Sequence, residues 1–204
     1  MKKILLLILL AYSSINAQVL YESVPSSKFN EPRNVKIQLP RNYEANEDKY
    51  YPVILVLDGD YLFEPVAGSA DYYSYWEDMP QAIIVGVMQP DRMEDTVYDD
   101  ANFLPTSQGA DFFEFLGMEL LPWLNKQYRL APFNVVVGHD ATAGFANYYL
   151  MKNPPLFNAY ISLSPDLAPQ MNERLTTILK QTEQQIFYYQ ATGCLLYTSD
   201  AADE

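Results

Sequence analysis

Val135-Val136-Val137-Gly138-His139-Asp140-Ala141-Thr142 runs from an unbroken β-branched stretch through one glycine into residues that favour helix. Three consecutive valines suit a strand covered on both faces, and the pattern predicts a strand over Asn134 to Val137. A helix is expected to begin near Ala141 and to reach about Lys152, because Asn153-Pro154-Pro155 cannot continue it. The chain must therefore reverse within Gly138-His139-Asp140, and the side chain left at the tip of that turn is Asp140.

Outward from this turn the same alternation repeats. Pro52 to Leu57 (PVILVL), Ala82 to Val87 (AIIVGV), Ala159 to Leu163 (AYISL) and Gln185 to Tyr189 (QIFYY) are apolar throughout or nearly so, which predicts buried central strands. Asn34 to Leu39 alternates apolar and polar residues, as a half-exposed edge strand would. Ala110 to Gln127 places Phe112, Phe113, Leu116, Leu120, Trp123 and Leu124 on one broad face, the mark of a helix lying on a sheet, and Pro122 is expected to kink it or to end its regular part. A further helix is expected over Met171 to Lys180. Strands alternating with helices specify an α/β chain with a mostly parallel central sheet and helices on both faces. No repeat or low-complexity tract divides residues 18–193, so one domain is expected there.

The ends read differently from the middle. Lys2 and Lys3, the apolar run Ile4 to Ala11, and Ala17 before Gln18 have the form of a signal peptide over residues 1–17. That run is too short to span a bilayer, so a periplasmic or secreted protein without membrane insertion is expected. Residues 194–204, beginning at Cys194, resemble a translated transposon-end sequencing adapter and are set aside as an artefact. The formal charge of −13 disfavours nucleic acid and anionic lipid as partners. No cofactor or metal motif is read. The acidic residues Glu94, Asp95, Asp99 and Asp100, in the aperiodic stretch Gln89 to Gly109, are expected to form a solvated loop rather than a cation site.

Several segments resemble the α/β-hydrolase superfamily, in particular esterases of the esterase D and ferric-enterobactin-esterase type. Tyr51 to Asp60 is similar to the strand and oxyanion loop of that family, and Gly109-Ala110-Asp111 with Phe115-Leu116, Glu119-Leu120 and Pro122 to its pre-elbow helix. Leu156 to Pro165 is similar to its strand ending in a Ser-Pro turn. The resemblance covers about Val35 to Pro165 in matching order, and it implies the α/β-hydrolase fold with its C-terminal strand, helix and histidine loop lying beyond Gly193. It also implies that the Gly138 turn is the nucleophile elbow, G-x-S-x-G, with Asp140 in the place of serine and Thr142 in the place of the second glycine. The backbone N–H groups of Ala141 and Asp60 would then form the oxyanion site. Asp58 and Asp60 as side chains are expected to cap turns. His139, the one histidine of the chain, is expected to be structural. Tyr72, Tyr73, Tyr75 and Trp76 are expected to pack a covering helix on the sheet, with an aromatic pocket near the elbow as the alternative.

The substitution decides the expected chemistry. A serine hydroxyl attacks an acyl carbon once a base takes its proton, and two N–H groups hold the resulting oxyanion. A carboxylate is a weaker nucleophile toward an ester, would yield an anhydride, and brings negative charge beside the oxyanion. The sequence therefore points first to a pseudoenzyme that binds an ester-like or siderophore-like small molecule. A second possibility is a hydrolase using Asp140 as nucleophile at saturated carbon, as in epoxide hydrolases and haloalkane dehalogenases. A third is a binding module for a siderophore, glycan or peptide.

Overall fold

A computed structural model describes residues 19–193. The signal-like segment 1–17 and the adapter-like segment 194–204 lie outside the described residues. In chain order the strands are β1 (Val19–Val24), β2 (Arg33–Gln38), β3 (Tyr51–Val56), β4 (Ile83–Val87), β5 (Leu130–His139), β6 (Ala159–Leu163) and β7 (Phe187–Ala191). They form one seven-stranded sheet in the order β1-β2-β4-β3-β5-β6-β7. Pairing is antiparallel for β1 with β2 and β2 with β4, and parallel from β4 through β3, β5 and β6 to β7. The helices are α1 (Phe63–Tyr75), α2 (Arg92–Asp95), α3 (Ser107–Glu114), α4 (Leu121–Gln127), α5 (Ala141–Leu150) and α6 (Met171–Leu179), with a π-helical turn at Phe115–Leu120.

Period-two alternation divides the central strands between two cores. Val53, Leu55, Val85 and Val136 face Phe112, Phe115, Phe145 and Tyr149 on one side of the sheet, whereas Ile54, Val56, Ile84, Val135 and Val137 face Phe63, Ala67 and Ala70 of α1 on the other. Both faces are covered, which is why these strands read as unbroken apolar runs. The expected α/β architecture is present.

Four expectations about individual elements are corrected. The stretch Asn34 to Leu39 is not an edge: β2 pairs on both sides, and β1, which the pattern did not reveal, takes the outer position. Its polar alternation misled because Lys36 is buried and bonds Glu64 of α1 at 2.8 Å. Gln185 to Tyr189 was expected to be buried, yet β7 pairs only with β6 among the described residues, and Phe187, Tyr188 and Tyr189 are exposed. The helix expected over Ala110 to Gln127 is interrupted by the π-helical turn, after which Pro122 sits in the first turn of α4. Proline lacks the N–H that an unbroken α-helix would need there, so the widened turn precedes it. Finally, Gln89 to Gly109 is no simple solvated loop, since it contains α2 and its Asp95 is fully buried against Arg33, with N–O distances of 2.7 and 3.1 Å.

Candidate active site

At the carboxyl end of β5 the chain turns into α5 with almost no room. A Cβ at Gly138 would lie 2.7 Å from the Ala143 nitrogen, and one at Gly144 would lie 1.7 Å from the Asp166 carbonyl oxygen. Only glycine lets the helix close on the strand and on the loop after β6. Between them Asp140 has φ 56° and ψ −120°, a conformation that costs a non-glycine residue on the order of 1–3 kcal/mol. Its own backbone is held from three directions. Its N–H donates to Leu163 O at 2.9 Å, and its carbonyl accepts from the N–H groups of Gly144 and Asp166, each at 3.0 Å.

The Asp140 carboxylate stands half exposed above the sheet, and Arg92 Nη1 approaches its Oδ2 at 3.3 Å. Arg92 is the residue that sequence reasoning missed; its only signal was a lone base in an acidic stretch. Its other two nitrogens are committed as well: Nε donates to Asp58 Oδ1 at 2.6 Å and Nη2 to the His139 carbonyl at 2.7 Å. Burial works against the charged guanidinium, but the hydrogen bond and charge of Asp58 outweigh it and hold the Arg92 pKa above its ordinary value.

Asp58 is not the turn cap that was expected. It is buried, with φ 58°, and its Oδ2 accepts from the Thr142 hydroxyl at 2.5 Å while its N–H donates to Gln89 Oε1 at 2.8 Å. Thr142, fully buried, in turn accepts the His139 N–H at 2.9 Å. One closed circuit of charge-assisted bonds thus joins the loop after β3, helix α2 and both sides of the elbow. Asp60 is corrected in the same sense: its carboxylate accepts from the Gln89 N–H at 3.3 Å and ties the two loops together. The imidazole of His139 lies with Nδ1 2.8 Å from the Tyr61 hydroxyl. Burial raises the Tyr61 pKa, so the hydroxyl keeps its proton.

Two backbone donors remain at this pole. The N–H groups of Ala141 and Asp60 bond no acceptor among the described residues. Ala141 also borders a cavity of about 300 Å³, walled by Met93, Tyr98, Phe145 and Tyr148 with Asp166 at its rim. Burial pushes the Tyr148 hydroxyl up to about 12, and it donates to the Phe103 carbonyl at 2.9 Å. Tyr72, Tyr73, Tyr75 and Trp76 take no part here and do not pack on the sheet; all four are exposed. Among the described residues no group of His, Cys, Asp or Glu side chains is arranged to hold a metal ion, and no helix is long and apolar enough to cross a membrane.

A family model described as "Putative esterase" matches residues 26–196. The chain belongs to that family. Among solved structures, a protein from Capnocytophaga ochracea superposes with a TM-score of 0.79 at 32% identity, over 85% of this chain and 48% of that one. An IroE-like serine hydrolase from Shewanella oneidensis gives 0.71 at 28% identity, over 84% and 60%. The enterobactin esterase of Shigella flexneri, at 19% identity and a TM-score of 0.59 over 86% and 54%, shares the fold. The chain thus spans about half to three fifths of the length of these structural relatives. No curated protein matches. The resemblance read from the sequence and the α/β-hydrolase fold are both borne out.

Proposed function

We propose that this esterase-family chain is a non-catalytic, ligand-binding member in which Asp140 stands where hydrolases of the family carry the nucleophilic serine. The observation that carries this reading is the circuit from Asp58 through Arg92 to Asp140. A carboxylate at the strained turn is a poor nucleophile toward an ester, and the guanidinium beside it pairs with one of its oxygens at 3.3 Å.

What such a site retains is recognition. The free N–H groups of Ala141 and Asp60 suit a neutral carbonyl oxygen, in the role of an oxyanion site without turnover, and the aromatic cavity beside Ala141 suits a ring or acyl group. An ester-like or siderophore-like small molecule fits that combination, and relatives named for siderophore and enterobactin hydrolysis support it. The lysine-led apolar segment at residues 1–17 supports action in the periplasm or outside the cell.

The test is turnover of p-nitrophenyl acetate and butyrate by the chain and by Asp140→Asn. The expected result is the same background rate for both. Ester cleavage that disappears in Asp140→Asn overturns the proposal, and an alkyl ester on Asp140, trapped with an epoxide and found by mass spectrometry, replaces it with covalent catalysis by the aspartate.

A further inference from the structure

At the opposite pole, where β3 and β4 begin, five aromatic side chains stand in solvent: Tyr50, Tyr72, Tyr73, Tyr75 and Trp76, from 50% exposed at Tyr73 to 67% at Tyr50. A solitary exposed ring needs no explanation, but four on the last turns of one helix and a fifth across from them leave apolar area uncovered at a single place. Tyr75 and Trp76 meet edge to face at 5.1 Å, and Tyr72 and Tyr73 at 5.3 Å. The rings are therefore braced against one another in pairs while each side chain stays at least half exposed.

Beside them opens a groove of about 880 Å³, lined among others by Arg41, Asn42, Tyr50, Tyr75, Asp78 and Gln81. Arg41 is fixed at its edge. Its Nε and Nη2 bond both oxygens of Asp71 at 2.7 and 2.6 Å, and its guanidinium carbon lies 5.0 Å from the Tyr75 ring centroid. Its Nη1 bonds no acceptor among the described residues, so it points a donor with a set orientation. The charges of the wall balance, Arg41 and Lys49 against Glu77 and Asp78, although the chain as a whole is strongly acidic.

We propose that this groove binds a neutral oligosaccharide. A pyranose ring presents C–H bonds on a flat face and hydroxyls around its rim, so it needs aromatic faces with planar amide, carboxylate and guanidinium groups at their edges. The groove supplies both, with Tyr50 and Tyr75 as the rings and Asn42, Gln81, Asp78 and Arg41 as the planar polar groups, while Tyr72, Tyr73 and Trp76 lie outside its lining. Balanced charge disfavours a polyanion, and a concave wall lacks the matching convex surface that self-association through the same patch requires. The inference rests on residues remote from the elbow and stands apart from the proposal made for Asp140.

Titration calorimetry of the whole chain with cellohexaose, maltohexaose and chitohexaose, beside the fluorescence of its two tryptophans, tests this. At least one sugar is expected to bind saturably, with affinity reduced about tenfold or more by Tyr75→Ala and by Tyr50→Ala, the two exposed rings that line the groove. Tyr21→Ala, which removes an exposed ring from β1, is expected to leave binding unchanged. These side chains are exposed, so unaltered melting confirms that each variant is folded. Absence of binding to all three sugars, or undiminished binding by Tyr75→Ala, overturns the proposal. A concentration-dependent dimer dispersed by Tyr75→Ala also overturns it and assigns the face to a second copy.

Discussion

The two poles of the sheet dispose of their polar groups in opposite ways. At the carboxyl ends of the strands, Asp58, Arg92, Thr142, Asp140 and the His139 backbone bond one another, and two N–H groups and a small cavity stay open. At the amino ends, one arginine is fixed by one aspartate and the aromatic rings are left uncovered. Side chains interlocked around a strained turn hold a geometry, whereas an open aromatic wall offers surface. The same contrast governs mutation: changes at the elbow pole should unfold the protein, and changes at the groove pole should spare it.

The largest effect is expected at the tightest approach. Gly144→Ala drives a methyl into the Asp166 carbonyl and should cost about 3 kcal/mol or more in urea unfolding. Arg92→Met leaves the buried Asp58 carboxylate without its charged partner and should cost about 3 kcal/mol, with the elbow backbone loosened in amide exchange. Thr142→Val keeps the shape but orphans the His139 N–H and one Asp58 lone pair, for about 2 kcal/mol. A loss as large from Tyr72→Ala at the other pole would break the comparison.

The legibility of the sequence divides along the same line. The strands and the elbow were readable because burial on both faces forces continuous apolar runs, and because Gly138 marks a place where a side chain cannot fit. The circuit behind the elbow was not readable. Arg92 lies 34 residues from Asp58 and 48 from Asp140, and nothing local distinguishes it from a solvated base. Asp58 followed by glycine looks like turn chemistry, and its burial becomes visible only once α2 is laid across it. The exposure of Tyr72 to Trp76 was hidden for the converse reason, since aromatic residues on a helix usually face the sheet.

The smallest effect concerns acid. The Arg41 hydrogen bond holds the Asp71 carboxyl below its ordinary value of 3.8, and the Lys36 hydrogen bond holds Glu64 below 4.5. Each folded pKa is depressed, so the stability it supplies is complete above the ordinary value and is lost as pH falls through the lowered one. Asp71→Asn should therefore flatten the fall in melting temperature between about pH 5 and about pH 3 by slightly lowering the melting temperature at neutrality and converging with the parent in acid, a small effect because the pair is exposed. An unchanged acid slope would show that the Arg41 contact is not maintained in solution.

The most direct test of the central claim is a single-turnover mixing experiment. Excess chain is mixed with p-nitrophenyl butyrate while nitrophenolate release is followed, and the quenched protein is then weighed by mass spectrometry. The account predicts no burst and no added butyryl mass. A burst with a butyryl adduct that peptide mapping places on Asp140 would contradict it.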